Sequence, residues 1–157
     1  MEIKIFNQKE KQEIVEKLNK EFGIKEIEGK IIQTGKERLF LFQGNFSEEE
    51  IGKLAQAVEV ERLGIYFAKE INSEIKLSVD GAQLFGNRGQ ITKNIIEINK
   101  EQEEEWMKGH EVLMEIPEEK NGFVVVKSGE DFLGCGKASQ NRITNFVPKG
   151  RRLKERN

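Results

Sequence analysis

The sequence contains one cysteine, Cys135, and one histidine, His110, in 157 residues. A single cysteine excludes an internal disulfide, and these two side chains are too few for a multi-cysteine or zinc-type metal site. We therefore expect neither a metal ion nor another cofactor.

Long apolar runs are also lacking. No window approaches the roughly 20 apolar residues of a membrane span, and residues 1–6 do not open a stretch long enough for export. We expect a soluble, cytoplasmic protein without a membrane partner. Prolines number only two, whereas charged residues, mostly Lys and Glu, make up 34%. This composition is typical of many proteins from hot environments, where surface ion-pair networks are common.

Charge is distributed unevenly along the chain. Residues 137–157 carry seven basic side chains and one acidic one, a net +6, although the whole chain is −2. The first 136 residues must therefore carry −8. Positive charge concentrated on one surface attracts phosphate whatever the overall isoelectric point, so this end predicts a polyanion partner, with nucleic acid as the first candidate.

The first half of the chain reads as a two-layer α/β unit over residues 1–72. The predicted elements are, in order, a strand over 2–6, a helix over 8–22, a hairpin over 29–34 and 38–42, a helix from 48, and a strand over 61–68. Asn7 should cap the first helix and Gly23 should end it. Ser47 and Glu50 form a capping box for the second helix.

The polar stretch 69–74 is the best candidate for a boundary, and a second domain is predicted over residues 73–157. Its elements are strands over 75–79, 91–98, 111–116, 122–127, 132–137 and 141–147, a single helical turn near 80–85, and an acidic helix over 100–108. Asp80 and Asn99 are the expected helix caps. Short strands at close spacing suggest a small mixed barrel, and the chain as a whole belongs to the α+β class.

Several stretches of the second half resemble the PUA domain, the small RNA-binding barrel named after pseudouridine synthases and archaeosine transglycosylases. They are KLSVDGAQLF (76–85), KGHEV (108–112), GFVVV (122–126) and LGCGKA (133–138). The end, NRITNFVPKGRR (141–152), is similar to the PUA-like domain of Sun/Fmu-type cytosine-5 RNA methyltransferases. The first half, especially RLGIYFAK (62–69), resembles Nip7-type ribosome-biogenesis proteins, a pre-PUA α/β domain followed by a PUA domain. Both resemblances imply RNA binding.

The resemblance to PUA domains also implies where RNA would lie, namely against the first short helix with its loop (83–93) and against a late strand (137–142). The implied RNA-binding residues, with the basic end added, are Arg88, Lys93, Lys137, Ser139, Gln140, Asn141, Arg142, Lys149, Arg151 and Arg152. The cations would contact phosphates, whereas the amides and hydroxyl of residues 139–141 could read bases or 2′-hydroxyl groups. Phe146 could stack on a base or be buried in the barrel.

The sequence does not show the catalytic residues that an RNA-modifying enzyme of the cytosine-5 methyltransferase class would need. A cytosine-5 methyltransferase needs a nucleophilic thiolate, usually a second cysteine, and a glycine-rich loop for the methyl donor. Cys135 lies between two glycines in an apolar strand and reads as a core residue. His110 follows a helix end without a local partner for acid–base work, and we expect it to cap or pack. The run Glu103 to Glu105 reads as a solvated helix face.

We therefore expect a noncatalytic protein that binds rRNA or tRNA and acts in ribosome biogenesis or RNA modification, with an RNA methyltransferase as a partner in trans. The acidic first domain is a poor surface for RNA and is expected to bind a basic protein. Two alternatives remain open from the sequence: an RNA-modifying enzyme or its regulatory subunit, and a protein adaptor without RNA affinity.

The C-terminal residues are expected to form a mobile basic tail. Pro148 lacks an amide donor and should end the last strand, and Gly150 should loosen the residues after it. On this interpretation the cations after Pro148 act on phosphate without contributing to the stability of the fold.

Overall fold

The computed structural model of the protein describes residues 2–59, 64–120 and 122–154. Within these ranges the chain forms two five-stranded sheets and four α-helices. The first sheet follows the chain in the order β1-β2-β3-β4-β5, with every neighbouring pair antiparallel. Its strands are β1 (Ile3–Ile5), β2 (Lys30–Thr34), β3 (Arg38–Phe42), β4 (Ile65–Ile71) and β5 (Glu74–Leu77).

Each face of the first sheet carries a helix because its strands alternate two apolar sets. Helix α1 (Gln8–Phe22) shares a core with Ile31, Leu39 and Leu41, whereas helix α2 (Glu48–Ala57) packs through Ile51 on the opposite set. The predicted caps are confirmed. Asn7 and Glu10 form a capping box, Gly23 ends α1 with a φ of 78°, and the box of Ser47 and Glu50 opens α2.

The second sheet has the order β6-β8-β9-β10-β7. Its strands are β6 (Ile95–Glu97), β7 (Val112–Leu113), β8 (Gly122–Ser128), β9 (Asp131–Ser139) and β10 (Arg142–Asn145). The β6–β8 pair is parallel and the other pairs are antiparallel, so the sheet is mixed. Helix α4 (Lys100–Met107), capped by Asn99 as predicted, places Trp106 in the core of this sheet, where its indole donates to the carbonyl of Leu133 at 2.9 Å. The predicted α+β class with a mixed, curled second sheet is confirmed.

One continuous apolar core joins the two sheets. It contains Leu18 and Phe22 of α1, Phe67 of β4, and Val125 and Cys135 of the second sheet. The chain segment before β6 strengthens this junction, since the side-chain amide of Asn94 donates to the carbonyl of Glu21 at 2.6 Å and the amide of Thr92 donates to Phe22 at 2.8 Å. Each sheet therefore depends on the other for part of its buried surface.

The polar stretch 69–74, interpreted as a joint between lobes, is the β4–β5 hairpin of the first sheet. Ile71 pairs with Glu74, and both turn residues have positive φ, 51° at Asn72 and 69° at Ser73. A two-residue turn of this kind matches the twist of the strands that it connects. The boundary drawn between residues 72 and 73 thus falls within a hairpin, and the division into two domains stays a prediction. Residues 61–63 of the predicted fourth strand lie outside the described ranges.

Helix α3 (Val79–Asn87) connects the two sheets and is longer than the single turn predicted. Its cap is Ser78, not Asp80: the Ser78 hydroxyl accepts from the amide of Gly81 at 2.9 Å and donates to the carbonyl of Tyr66 at 2.7 Å. The second bond ties the start of the helix to β4, which explains why serine serves here. Gly86 lies against the ring of Phe132 in β9, where a side chain would not fit.

The segment after β10 is folded where the structure describes it, which corrects the expectation of a mobile tail. Residues Lys149–Arg151 form a short 3-10 helix. Arg152 donates through Nε to the carbonyl of Val147 at 2.8 Å, and the amide of Leu153 donates to the carbonyl of Met107 at 2.7 Å. Gly109, with a φ of 93°, leaves the space that the Arg152 side chain fills. Pro148 thus ends the strand as predicted, but the following residues dock onto α4.

Candidate functional site

A ridge of alternating cations and aromatic rings lies where β8 and β9 of the second sheet meet β5 of the first. The ammonium of Lys137 lies 4.9 Å from the ring centroid of Phe123, its cross-strand partner. Phe123 makes an edge-to-face contact with Phe146 at 6.1 Å between centroids, and the Lys76 ammonium lies 4.3 Å from the centre of the Phe146 ring. These neighbours half-bury the Phe146 ring, and its stacking on a base stays a prediction.

The polar end of this ridge is the β9–β10 hairpin. Ser139 pairs with Arg142, so Gln140 and Asn141 form the two-residue turn between them. Their backbone carbonyls accept from amides of the segment after β7, which holds the turn in place, while both residues remain exposed. We call Lys137, Ser139, Gln140, Asn141 and Arg142 the basic end. These five predicted residues are brought together by the fold.

Each cation of the basic end has an acidic neighbour. Lys137 lies 3.7 Å from a carboxylate oxygen of Glu74, and Arg142 lies 3.4 Å from one of Glu111. All four side chains are about half exposed, and exposed pairs of this kind stabilise a fold by at most about 1 kcal/mol. A phosphate group can therefore compete for either cation at little cost.

Arg88 and Lys93 lie apart from the basic end. Arg88 follows the last residue of α3, beside the β8–β9 turn, whereas Lys137 lies near the other end of β9. Six residues of strand separate Asp131 from Lys137, a distance of roughly 20 Å at the usual rise per residue. Lys93 belongs to the segment bound to the end of α1, since its amide donates to the carbonyl of Phe22 at 3.2 Å.

The three cations after β10 that were predicted to bind RNA lie in different surroundings. Lys149 is exposed, and Arg151 donates to a carboxylate oxygen of Asp80 at the start of α3, at 3.1 Å. Arg152 is engaged with the backbone near α4 and contributes to folding. Arg151 thus lies beside Asp80, a residue of the groove between β4 and α3.

Two hollows adjoin the ridge where the sheets meet. A cleft of about 230 Å³ is lined by side chains of the first sheet and by Phe146, Val147 and Pro148 of the second. A larger groove of about 570 Å³ lies between β4 and α3, with Gln83 and Asn87 on its wall. Arg38 and Tyr66 border both hollows, and the guanidinium of Arg38 lies 5.5 Å from the centre of the Tyr66 ring.

Sequence reasoning did not identify Lys69, Lys76 or Phe123 as members of this surface. The two lysines are cross-strand partners in the β4–β5 hairpin, whereas the sequence pattern favours a joint between them. The signal for a hairpin is present in the alternation of residues 65–71 and 74–77 around an Asn-Ser turn. Reading that stretch as a hairpin places the two lysines side by side.

Cys135 is packed in the core, and His110 contacts the end of α4. Cys135 is buried, as predicted, and burial raises the pKa of its thiol to about 12. His110, which the sequence left without a local partner, has Nδ1 2.5 Å from a carboxylate oxygen of Glu105, and this bond lowers the pKa of that carboxyl. Among the described residues, no three potential metal ligands come together, and none of the described helices is long and apolar enough to cross a membrane.

Comparison with known families identifies the domain that contains the second sheet. Residues 93–153 match the sequence model of the methyltransferase RsmF PUA domain. The match confirms the resemblance to PUA domains of Sun/Fmu-type methyltransferases, and it spans the second sheet, α4 and the 3-10 helix. No curated protein matches the chain. Strand β5 and helix α3, expected to belong to the same domain, precede the matched residues.

Proposed function

We propose that this protein, which carries at residues 93–153 a PUA domain resembling that of the methyltransferase RsmF, is a noncatalytic protein that binds rRNA or tRNA through its basic end. A PUA domain suggests RNA binding. The main support for the proposal is the arrangement of side chains on this domain. Lys137 and Arg142 flank the exposed amides of the β9–β10 turn, and Lys137 lies over Phe123, which contacts Phe146.

The chemistry of the ridge suits folded RNA. Lysine and arginine side chains supply phosphate contacts, which account for most of the affinity. The amides of Gln140 and Asn141 and the hydroxyl of Ser139 can hydrogen-bond to base edges or to 2′-hydroxyl groups, the feature that distinguishes RNA from DNA. The partly exposed ring of Phe146 would allow an unpaired base to stack. Loops and ends of structured RNA offer all three kinds of group.

Support for a noncatalytic role comes from Cys135. Nucleophilic attack on a pyrimidine ring needs a thiolate, whereas this thiol is buried and its pKa is raised to about 12. We propose that the protein presents RNA to enzymes that act in trans, in ribosome biogenesis or RNA modification. The acidic charge of residues 1–136, a net −8 of which residues 1–72 carry −2, would favour a basic protein partner.

The test uses the full chain, because the core is shared between the two sheets. Binding of a folded tRNA or rRNA fragment is measured by fluorescence anisotropy across a salt series. If about six phosphates are neutralised, affinity should fall roughly a thousandfold between about 50 and 200 mM salt. The double variant Lys137→Ala/Arg142→Ala should bind at least about tenfold more weakly with an unchanged melting temperature.

The matched control is Lys127→Ala. Lys127 lies over the ring of Phe132 at 5.2 Å, in the same two strands but at the far end of the hairpin. We expect this variant to bind RNA like the unchanged protein. Equal losses in both variants would refute the assignment to the basic end, and an absence of RNA binding by the unchanged protein would favour the adaptor role.

A further inference from the structure

Three cations of the first sheet form a row across adjacent strands. Arg38 of β3 pairs with Lys69 of β4, and Lys69 pairs with Lys76 of β5. Directly opposed residues lie on the same face of a sheet, about 5 Å apart, and like charges in that position destabilise it. All three residues line the 230 Å³ cleft and lie outside the residues matched to the PUA domain.

Nearby carboxylates do not neutralise this row. Glu70 is paired with Lys17 at 2.6 Å, and Glu74 is paired with Lys137. Glu37 acts on Lys76 only through its charge at longer range. Within the described part of the chain, none of the three row residues forms an ion pair with a carboxylate. The cleft thus holds three positive charges without a matching anion.

Lys76 shows the energetic cost of this arrangement. Its side chain is half-buried against Phe146, and its pKa is lowered, first by burial and next by the charge of Lys69. Both effects disfavour the charged form of the amine. An anion in the cleft would reverse them, because it would compensate the desolvated charge and screen the repulsion between the two lysines.

The position of the cleft indicates which anion fits. It joins the ridge through Phe146, and it joins the larger groove through Arg38 and Tyr66. An isolated inorganic ion would need only the cleft, whereas a polymer of anions could follow the ridge, cross the cleft and continue along the groove. A phosphodiester of a nucleic-acid strand has the required charge and continuity.

We propose that Arg38, Lys69 and Lys76 bind one phosphodiester group of the same RNA that the basic end binds. This inference rests on the proposed function. It assigns part of the RNA surface to the first sheet, although the net negative charge of the first half predicts a poor one. The fold nevertheless creates a local positive surface, because it brings these three cations together where the first sheet borders the second.

The sequence offers a specific probe, since Tyr66 is the only tyrosine and Trp106 the only tryptophan. Fluorotyrosine places a single fluorine label in the wall of the cleft, and fluorotryptophan places one in the core of the second sheet. We expect RNA to shift the fluorine NMR signal of Tyr66 and to leave that of Trp106 in place. An unmoved Tyr66 signal at saturating RNA would overturn the proposal.

The variant for this test is Arg38→Gln/Lys69→Gln/Lys76→Gln, and its control is Lys9→Gln/Lys20→Gln/Lys30→Gln, which removes equal charge from α1 and β2. The row variant should bind RNA at least about threefold more weakly than the control, with a salt slope reduced by about 0.7 to 0.9. Its melting temperature should not fall, because repulsion is removed. Equal affinity of the two variants would overturn the phosphodiester site.

Failure of this inference can be told apart from failure of the proposed function. If the row variant binds normally while Lys137→Ala/Arg142→Ala does not, only the site in the first sheet is refuted. If the unchanged protein binds no RNA, both are refuted. Inorganic phosphate at matched ionic strength provides the last arm: a Tyr66 shift with phosphate and none with RNA would identify a site for the free ion and overturn the assignment.

Discussion

The two ends of the β8–β9 hairpin carry the same pair of side chains in different surroundings. At one end Lys137 lies over Phe123, and at the other Lys127 lies over Phe132. Beside Lys137 stand the amides of the β9–β10 turn and, beyond Phe146, the cationic row. Beside Lys127 stand Glu130 and Asp131, which line a shallow hollow with the end of α3.

From this difference we expect that a lysine over an aromatic ring is not sufficient by itself to bind RNA. Such a pair is a common feature of protein surfaces. The basic end is distinguished by the continuation of its charge and of its hydrogen-bonding groups over several strands, since a polyanion is bound by many phosphate contacts together. The other end of the hairpin, with Glu130 and Asp131, is called the acidic end. Arg88, whose neighbours Asn87 and Gly89 line the hollow at that end, lacks this continuation.

The largest expected effect is on the free energy of unfolding, and it concerns two glycines that pack near the two ends of the β8–β9 hairpin. A Cβ added to Gly136 would lie 2.7 Å from the carbonyl oxygen of Thr144 and 2.7 Å from the Trp106 ring. Gly136→Ala should therefore lower the free energy of unfolding by about 3 kcal/mol in urea denaturation. A Cβ added to Gly86 would also clash, but its three nearest atoms belong to the Phe132 side chain and none to the backbone. Because alanine also gains about 1 kcal/mol of helix propensity, Gly86→Ala should cost less. The reverse order would mean that the ring at the acidic end is the more rigid support.

A second prediction separates folding cations from binding cations near the basic end. Arg152→Ala removes a charged donor from the carbonyl of Val147 and should destabilise the protein by about 2 kcal/mol. Arg151→Ala breaks only an exposed pair with Asp80 and should cost about 0.5 kcal/mol or less. Thermal unfolding of both variants measures this difference. Equal melting temperatures would restore the interpretation of the segment as a mobile tail.

A third prediction concerns Cys135, which lies in β9 between the two ends. Because burial raises the pKa of its thiol to about 12, the folded state keeps the proton to higher pH than the unfolded chain. The stabilisation is complete below the unfolded pKa of about 8.5 and is lost as the pH rises towards 12. Between pH 8 and 10 the unchanged protein should lose about 2 kcal/mol more stability than Cys135→Ala. Parallel losses in urea titrations would contradict burial of the thiol.

The smallest effect is expected from removing the acids at the opposite end. Glu130→Gln/Asp131→Asn should raise RNA affinity by about twofold through general electrostatics, without changing which RNA is preferred. Competition binding with unrelated RNA measures this preference. A large gain in affinity would show that charge alone separates the two ends, and that the amides of the basic end are dispensable.

Local signals predicted the elements of this protein well. The caps of α1, α2 and α4 and the strands of the second sheet follow from spacings within a few residues, because capping and alternation depend on neighbours in sequence. The errors occurred where a tertiary contact decides. Ser78 rather than Asp80 caps α3 because its hydroxyl also donates to the carbonyl of Tyr66 in β4.

The candidate site was predicted in part for the same reason. Lys137 to Arg142 are near one another in sequence and meet in one hairpin. Arg88 and Lys93 were grouped with them by resemblance. In the structure Arg88 follows α3 near the opposite end of β9, and the amide of Lys93 is bonded to the end of α1. Arg38, Lys69 and Lys76 were not grouped at all, since no local pattern predicts which cations will become neighbours across strands.

By itself, the sequence determined the class of the fold, the buried role of Cys135, the PUA resemblance and the basic character of residues 137–152. Those properties depend on composition and on short-range spacing. Only the tertiary structure decided that the two sheets share a core and that residues 149–153 pack against α4 instead of forming a mobile tail. It also decided that Arg38, Lys69 and Lys76 line one cleft. Strand pairing brings distant residues together, and its register is set by burial over the whole sheet rather than by the residues that it aligns.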